Sequence, residues 1–128
     1  GFAHASIGHE LLHAYQFRGV APDRYGLAVL GDEMKGFIQA VGWVQLGSDD
    51  EVREASRPDS SWADFNALFQ YQGRQLTYST EGGDTFTLNP ANPLEGYALA
   101  GSFYYTRPSW IPQPDWPEYW SWFRANLG

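Results

Sequence analysis

His9, Glu10 and His13 fall inside a segment that reads as an α-helix, and that placement constrains the rest of the chain more than any other feature. From Phe2 to Phe17 the apolar residues Ile7, Leu11, Ala14 and Tyr15 recur at helical spacing, and Arg18-Gly19 supplies a basic last turn and a stop. Residues four apart on a helix differ by only about 40° in azimuth, so the two imidazoles project from one face, one turn apart. His4 lies about 140° round from His9 and is expected to be exposed or structural.

Two imidazoles in this arrangement can share one Zn²⁺. Glu10, about 100° round from His9, stands beside such an ion, where its carboxylate can take a proton from an attacking water; this is the division of roles encoded by the H-E-x-x-H pattern His9-Glu10-Leu11-Leu12-His13. The competing account is a chance pair of helical histidines, solvated or hydrogen-bonded in the core. Catalytic zinc normally keeps three protein ligands and one open position. The chain has no cysteine and only three histidines, so the third ligand must be a carboxylate.

The sequence offers 15 Asp and Glu for it. Glu33 lies 20 residues after His13, near the start of a second helix expected over Asp32 to Leu46, where Met34, Phe37, Ile38, Val41 and Val44 form the apolar stripe and Gly47 closes it. An acidic residue there also suits a helix N-terminus for dipole reasons alone. Glu95 lies in Asn92-Pro93-Leu94-Glu95, a helix start with Asn as N-cap and Pro at the first position, and its side chain could simply complete a capping box. That third helix is expected to run to about Tyr105 and to stop before Pro108.

Elsewhere, Val20 to Leu30 reads as a connection, and Ser48 to Ser61 as a surface loop or short irregular helix. Trp62 to Tyr71 is a candidate short helix. Gln75 to Leu88 alternates around Leu76, Tyr78, Phe86 and Leu88 with Glu81-Gly82-Gly83-Asp84 at its middle, which predicts a hairpin with a glycine turn. A Pro- and Trp-rich stretch, 108–117, leads into a last helix from about Trp116 to Leu127. The fold class expected is α+β: one mostly helical domain over residues 1–128 with a small hairpin or sheet. Because the first residues already lie inside a helical pattern, the chain is expected to be a piece of a longer one, with any targeting segment upstream.

The stretch Asn92-Pro93-Leu94-Glu95-Gly96-Tyr97-Ala98-Leu99-Ala100-Gly101-Ser102-Phe103 is similar to the N-x-x-E-x-F-A-E-x-F helix of minimal zincin domains and of lethal-factor-like peptidase domains. Together with the H-E-x-x-H helix followed by Ala14-Tyr15 and a helix around Phe37 to Trp43, the resemblance covers most of the chain. It implies a zinc metallopeptidase of the gluzincin type in which His9, His13 and Glu95 hold Zn²⁺ and Glu10 is the catalytic base. Ala98 and Gly101 would then allow this helix to approach the first one closely. Glu33 has the spacing of thermolysin-like gluzincins, but Asp32-Glu33-Met34-Lys35-Gly36-Phe37 lacks their Asn-Glu-x-x-Ser-Asp pattern. Two further departures are Leu99, where the pattern often has a second acid, and Leu88, where related enzymes often place an oxyanion-steadying tyrosine. Tyr78, Tyr97 and Arg107 are the candidate substitutes. Such enzymes also offer an edge strand to substrate, a role open to the 75–88 hairpin.

The partner implied is a peptide or protein substrate. The formal charge of −7, with only eight Lys or Arg, opposes nucleic acid, whose binding relies on basic patches. No run approaches the roughly 18 apolar residues of a membrane span. Absence of cysteine leaves the compartment open, with an extracellular or cell-envelope setting preferred. A rival reading keeps the zincin fold without the chemistry: a groove walled by Trp110, Trp116, Trp120 and Trp122 that holds a peptide or glycan uncut. Such tryptophans are more often core and lid residues.

Overall fold

The computed structural model describes residues 10–21 and 23–127. Residues 10–16 are helical (α1), and the turn 17–19 ends them, with Phe17 N–H donating to the His13 carbonyl at 3.0 Å. A single-stretch 3₁₀ helix, Tyr25–Leu30, precedes α2 (Asp32–Val41), β1 (Trp43–Gln45), α3 (Asp49–Ala55), α4 (Trp62–Asn66) and β2 (Phe69–Tyr71). The hairpin β3 (Leu76–Ser79) and β4 (Thr85–Leu88), α5 (Pro93–Thr106) and α6 (Pro117–Leu127) complete the order. About half of the described chain is helical, and the strands form two antiparallel pairs, β1 with β2 and β3 with β4, so the fold is α+β.

The stripe on α2 buries as its spacing requires, with Met34, Phe37, Ile38 and Val41 all inside. The helix, however, ends at Val41 and not at Leu46. Gly42 takes the left-handed conformation at φ +100°, and a Cβ there would stand 2.5 Å from the Gly73 Cα. The chain turns there into β1, Gln72 N–H donates to the Gly42 carbonyl at 2.8 Å, and Trp43, Val44 and Gln45 pair with Tyr71, Gln70 and Phe69. Residues 69–71 are therefore strand, and only the first part of the predicted 62–71 helix forms.

One segment is more ordered than expected, and in another the helical alternative holds. Within 20–30 lies the 3₁₀ turn, and within 48–61 lies α3, held by a complete capping box in which the Ser48 hydroxyl accepts from Glu51 N–H and the Glu51 carboxylate accepts from Ser48 N–H. The hairpin forms as expected, its Gly83 at φ +90° closing the turn. So do α5, capped by Asn92 with Pro93 next, and α6.

The heavy aromatic content resolves into one core. Phe37 meets Tyr97, Trp122 and Tyr119 edge-on at centroid distances of 5.3, 5.2 and 5.8 Å, the geometry favoured by ring quadrupoles. Trp116, Trp120 and Trp122 are buried, with Trp116 Nε1 donating to the Thr77 carbonyl and Trp120 Nε1 to that of Pro114. This removes three of the four tryptophans from any binding wall and leaves Trp110 at the surface.

Candidate functional site

α1 runs antiparallel across α5: Leu12, His13 and Gln16 meet Gly101, Glu95 and Leu94 in turn. Gly101 permits the approach, because a Cβ there would lie 2.9 Å from both Cγ and Cδ1 of Leu12. The N-terminal end of α5 is fixed from two sides, as Asn92 Oδ1 accepts from Glu95 N–H at 3.1 Å and Asn92 Nδ2 donates to Asn66 Oδ1 at 2.8 Å. The cap uses the backbone of Glu95, and its carboxylate reaches across to α1.

There His13 Nε2 and Glu95 Oε1 stand 2.9 Å apart, the side chains 18% and 40% exposed. The other ring nitrogen, Nδ1, is 2.7 Å from Gln16 Oε1. Gln16 is buried, and its amide orientation follows from its Nε2 donating to the Leu94 carbonyl at 3.1 Å, a group that can only accept. Gln16 Oε1 must therefore accept, and His13 Nδ1 carries the hydrogen. With Nδ1 committed to Gln16, Nε2 is the ring atom turned to Glu95, and their approach is bridged by a hydrogen on one of the two groups or by a cation. Two ligands of a tetrahedral Zn²⁺ at about 2.0–2.1 Å are separated by roughly 3.3 Å, close to the spacing present. At 2.9 Å the pair is at hydrogen-bond distance; an imidazole nitrogen and a carboxylate are also donor types that Zn²⁺ takes, and Gln16 would then be the outer partner that sets the imidazole tautomer. Phe17 stacks on His13 (5.2 Å, 10°) and Tyr25 on Phe17 (4.1 Å, 10°), which restrains the ring further.

His9 and His4 lie outside the described residues. Among the described residues no group of three or more His, Asp or Glu converges as a metal site; His13 and Glu95 form a pair. Glu33 is engaged elsewhere. Its Oε2 accepts from Arg18 Nη2 at 2.9 Å, and its buried Oε1 has no hydrogen-bond partner among the described residues. It borders a separate cavity of about 250 Å³ with Gln16 and Tyr97. The Tyr97 hydroxyl is buried without a hydrogen-bond partner among the described residues, and burial, with Glu33 nearby, pushes its pKa well up.

Two other cavities flank the α1–α5 crossing. His13 and Glu95 border one of about 370 Å³ with Phe17, Trp62 and Asn92. Glu10, exposed on α1, borders the other, about 750 Å³ and largely apolar. Positions three apart on a helix are neighbours, so the two cavities open on adjoining sides of one turn. Leu88, Leu99 and Tyr78 all line the larger cleft. Of the three substitutes for an oxyanion tyrosine, only Tyr78 is in this cleft; Tyr97 faces the Glu33 cavity, and Arg107 donates to the Ile111 carbonyl.

Gln16 was not among the residues the sequence singles out. Its signal is its place three residues after His13, within reach of the inner ring nitrogen. With the pair read as zinc ligands, Gln16→Leu is expected to release the tautomer and to weaken zinc binding by about 10–100-fold. The ¹⁵N shifts of the His13 ring in the zinc-free protein separate this positioning role from a purely structural one, because a structural role leaves the Nδ1–H population unchanged.

Comparisons of the chain with family models, with curated proteins and with solved structures return no match.

Proposed function

We propose that the chain is a zinc-dependent peptide hydrolase resembling the minimal zincins, in which His9, His13 and Glu95 hold the ion and Glu10 is the base. The observation that carries this reading is the close approach of His13 Nε2 and Glu95 Oε1, from helices distant in sequence, with the inner nitrogen already committed to Gln16. A zinc ion there would polarise the scissile carbonyl and lower the pKa of the attacking water. Glu10, exposed at the edge of the larger cleft, accepts the proton of that water and passes it to the leaving amine. A peptide laid across the α1–α5 crossing has one cavity on either side of it for flanking side chains.

The acidity of the chain disfavours polyanionic partners. No helix among the described residues is long and apolar enough to cross a membrane. A binding module that holds a peptide uncut is the second reading, favoured by Leu88 and Leu99 lining the cleft where related enzymes often carry a tyrosine and an acid. Incubating the purified protein with a mixed peptide library, with and without a chelator, separates the two. The proposal expects about one zinc per chain and cleavage that stops on chelation and returns with added zinc. Stoichiometric zinc with no cleavage would leave the module.

A further inference from the structure

The larger cleft has a chemistry of its own. Its walls come from β3, β4, α5 and the 108–111 stretch after it, and Tyr78 lies against Phe86 (5.5 Å, 26°) and Phe103 (4.8 Å, 54°). Leu88 and Leu99 complete an apolar lining, and Phe86 is 48% exposed. A concave apolar surface of about 750 Å³ is in the size range of ligand sites, and large aromatic side chains left open to water are costly without an occupant. The charge at its border has a single sign. Glu10, Glu81 and Asp84 line it, and no Lys or Arg does among the described residues. Glu81 and Asp84 are exposed on the β3–β4 turn, where they act on an approaching ligand across a Debye length of about 8–10 Å.

We infer that this cleft receives a bulky apolar side chain, Phe-like in size, from a peptide segment whose neighbouring residues are Lys or Arg. The apolar walls take the side chain, and the acidic border pairs with the flanking cations and disfavours phosphate-bearing or acidic ligands. The inference rests on the proposed hydrolase reading only in calling the segment a substrate; the binding itself needs no metal.

The test uses the full chain, freed of zinc, and fluorescently labelled peptides that differ only in their centre: Arg-Phe-Arg, Glu-Phe-Glu and Arg-Ser-Arg within a Gly-Ala frame. Fluorescence anisotropy should give Arg-Phe-Arg the tightest binding by about tenfold over either control, with the gap to Glu-Phe-Glu narrowing as salt is raised. Phe86→Ser, at a half-exposed strand position, should weaken Arg-Phe-Arg by about tenfold. The double variant Glu81→Lys and Asp84→Lys should reverse the order of the Arg-Phe-Arg and Glu-Phe-Glu peptides. Equal binding of Arg-Phe-Arg and Arg-Ser-Arg, or an unchanged order in the double variant, would overturn the inference. Zinc-dependent cleavage that persists alongside such a result would leave the hydrolase reading standing, whereas the expected binding without any cleavage would sink the hydrolase reading and keep the cleft.

Discussion

Glu10→Gln is expected to lower peptide turnover by about 10²–10⁴-fold with no change in bound zinc. The amide is nearly isosteric with the carboxylate but cannot accept a proton, so the substitution removes the base alone. Glu10 is exposed on α1, so its replacement opens no core cavity and breaks none of the contacts of Leu12, His13 or Gln16 with α5. Thermal unfolding of the zinc-bound variant should therefore match that of the parent. Turnover rates on a cleaved library peptide, taken with metal content, provide the check. A variant that cuts at the parent rate would show that the proton is carried by another group.

Glu95→Ala should weaken zinc binding by more than about 100-fold, beyond the 10–100-fold typical of losing an outer partner such as Gln16. The cap of α5 survives this change, because it is the backbone N–H of Glu95 that donates to Asn92. Helix content by circular dichroism is thus expected to hold while the metal is lost. Glu33→Ala is the matched control. It breaks an ion pair with Arg18 whose side chains are 32% and 52% exposed, worth at most about 1 kcal/mol, and should leave zinc affinity unchanged. Competition titrations against a chelating dye measure all three proteins. Loss of zinc in the Glu33 variant and not in the Glu95 variant would reverse the assignment.

The parts of this fold that the sequence made legible are those whose signals are local. The α2 stripe, the Asn92-Pro93 start of α5, the alternation and double glycine of the β3–β4 hairpin, and the start of α6 all state their structure within a dozen residues. What escaped depends on distant partners. Gly42 rather than Gly47 ends α2 because Gly73 comes within touching distance of it, and the three-residue strands β1 and β2 exist only as a pair. Helix α3 lies between the two: the polar composition of 48–61 left loop and short helix open, and the Ser48-Asp49-Asp50-Glu51 capping box decides for the helix.

The candidate site divides in the same way. Spacing within α1 points to Glu10 and His13 without help from the rest of the chain, while the choice between Glu33 and Glu95 needs the packing of α5 on α1, which brings the Glu95 carboxylate to His13 and leaves Glu33 with Arg18. Gln16 looks like an ordinary helical glutamine until its two ends are traced to His13 and to the Leu94 carbonyl. Trp116, Trp120 and Trp122 are core, the commoner role of such residues, and not the wall of the rival reading.

The most direct measurement is anomalous scattering at the zinc edge from crystals of the zinc-loaded protein. The account predicts one strong peak between the His13 Nε2 and the Glu95 carboxylate, with the His9 imidazole completing the protein ligands. No peak at that position, or one held by Glu33 with His13 still turned to Glu95 alone, would contradict it.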